Sequence, residues 1–183
     1  LMRLHTLGPA VTDSYAAAQY YNETACEGQA EIIGHPSFET ILTHLTAYAG
    51  DWLIIPAAFQ SPSLQASWGD IHYALLSQMT LTTCFMTELD PLVVVARTDA
   101  DNRIGYTHAA TAQLLKRTVS NVVVQTAASK FLAYQQYQEN QAGYVLTNEK
   151  NVTLSANEKI LKRLTPSMVW CVYQIKDDDT CKH

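Results

Sequence analysis

The chemistry-bearing residues of this chain are first met between Gly8 and Ser14, inside the stretch Leu4–Tyr21, LHTLGPAVTDSYAAAQYY. Gly8 and Pro9 interrupt the short apolar run Leu4–Leu7, Thr12 and Ser14 supply cap hydroxyls, and an Ala-rich segment of high helix propensity follows. The order is strand, turn, helix. A helix start presents amide groups that have no intrahelical acceptor. Together with two hydroxyls they make a donor set for a small anion that needs no Lys or Arg. The same residues also suit an ordinary βα turn of an α/β domain, so anion binding and simple capping both stand at this point.

Other reactive residues point away from metals and cofactors. The cysteines, Cys26, Cys84, Cys171 and Cys181, form no CxxC pair and no disulfide framework, which predicts free thiols in a reducing cytoplasm. The ending Cys181, Lys182, His183 is expected to be a frayed terminus rather than a metal ligand set. The six histidines are dispersed, without HExxH spacing, and the chain carries no GxGxxG, Walker loop or GxSxG, so neither a metal nor a cofactor is expected. Asn22 and Asn151 stand in glycosylation-type sequons, which have no consequence in a cytoplasmic protein. Arg97 and Arg103 read as solvated surface cations, and Trp52, Tyr106 and Trp170 as core aromatics.

The elements that position these groups come from a chain of 183 residues, 48% hydrophobic and 16% charged, with a net charge of −5. That length supports one domain or two small lobes with a core that needs no disulfides, and the composition is that of a folded protein. Scattered basic residues in an acidic chain argue against a nucleic-acid surface. No apolar run approaches a membrane span, and the start lacks an h-region and cleavage site, so Met2 reads as a natural start in a cytoplasmic protein.

Taken in order, Gln29–Gly34 reads as a second strand, Ser37 as the cap of a helix running to near Gly50, and Trp52–Pro56 as a strand buried on both faces. Strands alternating with helices predict an open, mostly parallel sheet whose ligand loops lie at the C-terminal edge, with Gly8–Ser14 and Pro56–Ser61 on one rim. Pro62–Gly69 reads as loop, and Ile71–Gln78 as either helix or strand. Met79–Arg97 reads as a long strand, a turn at Asp90–Pro91 and a return strand. A second βαβαβ series follows: strand Arg103–Thr107, helix Ala109–Arg117, strand Val122–Gln125, helix Ala127–Asn140 and strand Gly143–Leu146. Asn148–Leu164 reads as turns and helical fragments, and Ser167–Gln174 as a terminal strand. The expected architecture is α/β: two small lobes of periplasmic-binding-protein-like type II organisation, with a ligand cleft between them and extended crossover strands. Lobe 1 is placed at residues 1–80, completed by 165–183, and lobe 2 at 81–164.

The pattern TLGP-x-x-T-x-S before an Ala-rich helix, followed by an apolar strand ending at Pro56, resembles the prephenate dehydratase family. After the strand-ending proline that family carries Glu-Asn-Ser, where this chain has Ala58, Phe59, Gln60 and Ser61. Near the C-terminus it carries Thr-Arg-Phe, where this chain has Met168, Val169 and Trp170. A Met-x-Trp core there, and Leu146-Thr147-Asn148-Glu149 after a second-lobe strand, resemble the non-aromatising prephenate decarboxylase branch of bacilysin (anticapsin) biosynthesis. Both relatives carry a glycine in the opening turn where this chain has Val11. The family's Ser-His-Pro stands here as Thr107, His108, Ala109, and its Ser-Thr-Ala falls at Thr126.

The resemblance implies a small-molecule carboxylate substrate, prephenate or an analogue, held by Thr12, Ser14, Ala58, Gln60, Ser61, Thr107, Thr126, Asn148, Met168 and Trp170. It offers His108 as the candidate general acid, and Asn148 and Glu149 as either ligand contacts or caps. It further implies a homodimer with no cofactor and no metal. Dehydration needs an acid for the departing ring hydroxyl, and the loss of Thr-Arg-Phe argues against it. The expected activity is a cofactor-free carboxy-lyase. The alternatives are prephenate dehydratase and a non-catalytic protein that binds or senses an amino acid or aromatic acid.

Overall fold

The computed structural model describes residues 1–177. In chain order the first elements are β1 (Arg3–Leu7), α1 (Asp13–Ala25), β2 (Glu31–His35), α2 (Phe38–Leu42), β3 (Trp52–Pro56), β4 (Gln60–Ser61), β5 (Ala66–Ser67), α3 (Trp68–Ala74) and β6 (Met79–Glu88). There follow β7 (Leu92–Arg97), β8 (Ile104–His108), α4 (Ala112–Thr118), β9 (Val123–Ala127), α5 (Lys130–Glu139), β10 (Tyr144–Asn148), β11 (Glu158–Leu164) and β12 (Ser167–Ile175). Short 3-10 turns occupy Leu45–Tyr48, Ala109–Thr111 and Glu149–Asn151.

The chain divides into two compact units, Leu1–Thr87 with Ser167–His183, and Glu88–Pro166. The first holds a five-stranded sheet of order β2-β1-β3-β12-β6, parallel across β2, β1 and β3 and antiparallel between β3 and β12. Residues 81–87, beyond the expected boundary at 80, belong here because β6 is a strand of this sheet. The Thr82 hydroxyl donates to the Val172 carbonyl at 2.9 Å and Trp170 Nε1 donates to Thr87 Oγ1 at 2.8 Å. One face carries the core built on Phe38, Ile41, Leu45, Leu53, Ile55 and Tyr173. Behind the sheet's other residues, Ala17 and Ala18 of α1 are fully covered, which explains the small side chains at that helix face.

The second unit repeats the same grammar. Its sheet has the order β9-β8-β10-β7-β11, parallel across β9, β8 and β10 and antiparallel from β10 to β7 and from β7 to β11. Strand β7 alternates between two cores: Val93 and Val95 pack with Ala133, Tyr134 and Tyr137, while Leu92 and Val94 pack with Leu115, Val119 and Leu146. That is why its sequence is a continuous apolar run. A threonine bridges adjacent parallel strands in each unit: Thr6 Oγ1 donates to the Ile54 carbonyl at 2.9 Å, and Thr107 Oγ1 donates to the Leu146 carbonyl at 3.0 Å.

The structure departs from the sequence reading in several elements. The helix from Ser37 stops at Leu42, and residues 45–48 form a 3-10 turn. The Thr43 hydroxyl and His44 Nδ1 both turn back onto the preceding helical carbonyls, a local competition that ends regular helix. Pro62–Gly69 contains β5, which pairs back onto β4, and the start of α3, whose capping box joins Ser67 and Asp70. Glu158–Leu164, expected as helical fragments, is strand β11, paired along β7 with a register shift between Ile160 and Lys162.

In the second core the Tyr137 hydroxyl donates to Glu158 Oε2 at 2.6 Å. Burial, reinforced by this bond, pushes the tyrosine hydroxyl far above the ordinary phenol range. For Glu158, burial pulls the carboxyl upward, but hydrogen bonds from Tyr137 and the Ser155 amide outweigh it and hold the group below the usual carboxylate range. A depressed carboxyl stabilises the fold above its unfolded pKa, and that contribution disappears as pH falls through the folded value. Tyr137→Phe is therefore expected to cost about 1–2 kcal/mol at neutral pH. Urea titrations of both proteins across the acid limb check this: the difference between them should shrink below about pH 4.

Candidate ligand-binding site

The turn after β1 is built by close backbone approach. The Gly8 amide donates to the His35 carbonyl at 2.8 Å, and a Cβ on Gly34 would lie 3.0 Å from Gly8 Cα. Gly8–Pro9 is a cis peptide bond. Val11, where the resembled families carry glycine, points away with 85% exposure, so the tight approach is made by Gly8 and Gly34 instead. Thr12 is the N-cap of α1: Oγ1 accepts from the Tyr15 amide at 3.2 Å and lies 3.0 Å from the Leu7 carbonyl and 2.9 Å from that of Pro9. Its hydroxyl is thus spent on capping. Ser14, in the first turn of α1, is 5% exposed, and its hydroxyl has no hydrogen-bond partner among the described residues. The Asp13 and Ser14 amides likewise have no acceptor there. Two amides and one hydroxyl form the open donor set, with the positive end of a 13-residue helix behind it.

Thr12→Ala removes the cap while leaving that donor set in place. Its expected cost is about 1 kcal/mol, read as a lower urea midpoint with an unchanged slope.

At the end of β3, Pro56 pairs with Trp170 and the Ala57 amide donates to the Val169 carbonyl at 2.9 Å, so the 56–61 and 168–170 segments are brought together. Ala58 and Gln60 are exposed. Ser61 is buried, its Oγ accepting from the Leu64 amide at 3.1 Å and lying 3.2 Å from Ser63 Oγ. Gln60 and Ser61, with Pro62, Gln65, Ala66 and Ser67, line a cavity of about 280 Å³. Met168 is half-buried, whereas Trp170 is 2% exposed and hydrogen-bonded to Thr87, which makes it a core residue of the first unit.

In the second unit, Thr107 is fully buried and holds the Leu146 carbonyl and, at 2.7 Å, the Thr111 hydroxyl. His108 caps the following 3-10 turn, its Nδ1 accepting from the Ala110 amide at 3.2 Å, which leaves Nε2 as the donor. Burial, followed by the charge of Lys130, holds this imidazole below its ordinary range. Thr126 lies inside β9, opposite Thr107 and exposed, because pairing continues to His108 and Ala127. The cap of α5 is Ser129, whose Oγ accepts from the Leu132 amide. Asn148 ends β10, half-buried, without a side-chain capping bond. Glu149 is engaged by Arg163 at 2.6 Å on the surface.

The arginines expected to be merely solvated have structural partners. Arg97 lies over the Tyr137 ring at 5.0 Å and donates to the Ala142 carbonyl, while Arg103 lies over Tyr144 and donates to its hydroxyl and to the Ser120 carbonyl. Cys26, Cys84 and Cys171 are free thiols; Cys181, with the ending Lys182 and His183, lies outside the described residues. Among the described residues no group of acidic, His and Cys side chains is arranged to hold a metal, and no helix is long and apolar enough to cross a membrane. Sequence reasoning missed one polar cluster, His5, His35 and Asp51. The only signal was a histidine between Leu4 and Thr6 in the short strand Arg3–Leu7.

The fold defines the class: an α/β protein of two lobes, each with one five-stranded mixed sheet, of periplasmic-binding-protein-like (Venus flytrap) organisation. Compared with protein families and with curated proteins, the chain matches none. Among solved structures it is similar to the prephenate dehydratase of Arthrobacter aurescens in complex with L-Phe, with a TM-score of 0.52 and 14% identity over 95% of this chain and 60% of that one. It is similar to the periplasmic VFT2 domain of Bordetella pertussis BvgS, with a TM-score of 0.52 and 16% identity over 95% of this chain and 80% of that one. An ABC transporter structure from Parabacteroides distasonis gives a TM-score of 0.57 and 14% identity over 95% of this chain and 66% of that one. The chain thus spans less than two thirds of the dehydratase, and identities this low establish the fold alone.

Proposed function

We propose that this chain binds a small carboxylate, prephenate or a close analogue, and acts on it as a cofactor-free carboxy-lyase that keeps the ring hydroxyl. The observation that carries the reading is the Gly8–Ser14 turn, a helix start with two open amides and a Ser14 hydroxyl that has no hydrogen-bond partner among the described residues. It stands in a fold similar to that of a prephenate dehydratase solved with L-Phe. The choice of reaction rests on Met168–Val169–Trp170 replacing Thr-Arg-Phe, which removes a hydroxyl and a guanidinium from the strand. In the proposed step the bond between ring carbon and carboxylate breaks, carbon dioxide leaves, the electron pair moves into the diene and a ring carbon takes a proton. His108 is the candidate donor of that proton.

A second reading is a non-catalytic binding or sensing protein. It is favoured by the likeness to the VFT2 domain, 80% of which the chain covers. Purified protein mixed with prephenate, followed by absorbance and mass, separates the two. Loss of carbon dioxide with retained hydroxyl supports the lyase, phenylpyruvate reassigns the reaction to dehydration, and binding without conversion supports the second reading. No binding removes both. The resemblance also carries a homodimer, which light scattering checks.

A further inference from the structure

The histidine cluster of the first unit lies apart from the donor set of the turn. His5, in the middle of β1, is 2% exposed; its Nε2 lies 2.8 Å from Asp51 Oδ2 and its Nδ1 2.8 Å from His35 Nε2. Asp51 precedes β3 and His35 ends β2, so the row crosses three neighbouring parallel strands. The register places His5 beside Ile33 and Leu53, and His35 beside Leu7, which puts the row on one face of the sheet. The Tyr48 ring covers it, 4.3 Å from the His5 ring and 5.3 Å from that of His35. Ionisable groups buried on a sheet face are costly unless each is partnered, and here the partners are one another.

Counting hydrogens sets the proton positions. The Asp51 carboxylate only accepts, so His5 Nε2 carries its proton. In neutral His5 the Nδ1 lone pair then accepts, so His35 Nε2 carries its proton and the His35 lone pair is at Nδ1. A proton arriving at that nitrogen lets the Nε2 proton of His35 pass to His5, and the positive charge then sits beside Asp51.

We propose that Asp51, His5 and His35 form a proton relay, an acid–base site of the first unit at which one proton enters through Nδ1 of His35 and is held against the Asp51 carboxylate. Tyr48, from the 3-10 turn, faces the row, and the Asp177 carboxylate lies beside Gly50, the neighbour of Asp51 in the chain. Burial, and then the charge of His5, hold His35 below the ordinary imidazole range. The His35 carbonyl accepts the Gly8 amide, so His35 stands at the foot of the turn that leads to Thr12 and Ser14. The inference does not depend on the lyase reading.

Nuclear magnetic resonance of the intact protein labelled with 15N-histidine tests it. At about pH 8, both rings are expected in the Nε2–H tautomer. On acidification their shifts should move together in shared steps, because the proton belongs to the pair. Asp51→Asn is expected to weaken proton uptake about tenfold, moving the first step down by about one pH unit. An Nδ1–H tautomer at His35, or rings that titrate independently with midpoints unmoved in Asp51→Asn, would overturn the relay. Should Asp51→Asn not fold, the native tautomers and the shared steps decide.

Discussion

Trp170→Ala is expected to destabilise the first unit by about 3–5 kcal/mol, the range for deleting a fully buried indole. Trp170 is among the largest fully buried side chains, pairs with Pro56 across β12 and β3, and holds Thr87 of β6 through its indole N–H at 2.8 Å. Its removal opens a cavity between three strands that cannot collapse without bending the sheet, and leaves the Thr87 hydroxyl without that donor. Urea unfolding read by circular dichroism checks this, with the midpoint expected to fall sharply. The same variant separates a core role from a ligand contact. A protein that keeps its midpoint but loses affinity for prephenate would show that the indole serves the ligand, contrary to its burial.

Gly143→Ala is expected to cost about 2–3 kcal/mol, as a small-to-large change at a site with no room. A Cβ there would lie 2.4 Å from the Asn102 carbonyl oxygen, a backbone atom, and Asn102 Oδ1 accepts the Gly143 amide at 2.9 Å. The clash forces apart the loop before β8 and the start of β10, which are tied again by Asn102 Nδ2 donating to the Gln141 carbonyl. Gly105→Ala makes a useful comparison. Its Cβ would meet the ends of the Val122 and Leu115 side chains at 2.7 and 3.0 Å, which can turn aside, so the loss should be smaller. Thermal unfolding of the two variants side by side orders them.

The parts of this protein legible in sequence are those whose cause is local. Thr12, Ser37 and Ser129 each lie at a helix start, and each accepts the expected amide; two of the three were read as caps before any fold was known. Apolar runs named β3, β7 and β12, because a strand buried on both faces must be apolar along its length. The two-lobed α/β class followed from repeated strand–helix alternation, and both five-stranded sheets have that arrangement. Strand β11 was not legible: EKILKRL carries charges at helix-compatible spacing, and only pairing with β7, some sixty residues earlier in the chain, makes it extended. Thr126 was misplaced by the same cause, since pairing with Thr107 carries β9 beyond its apolar part.

By itself, then, the sequence determined the turn, the caps, the alternation of strands and helices and the absence of known metal or nucleotide motifs, all properties of residues within a few positions of one another. Tertiary structure alone decided which hydroxyls are spent and which stay open. Thr12 and Ser14 look alike in sequence, yet one hydroxyl is consumed by capping and the other has no hydrogen-bond partner among the described residues. It alone tied the Trp170 indole to Thr87 and joined His5 to His35 and Asp51 across 30 and 46 positions. Hydrogen bonds reach only about 3 Å, and the chain brings such distant groups within that reach only after the strands have paired.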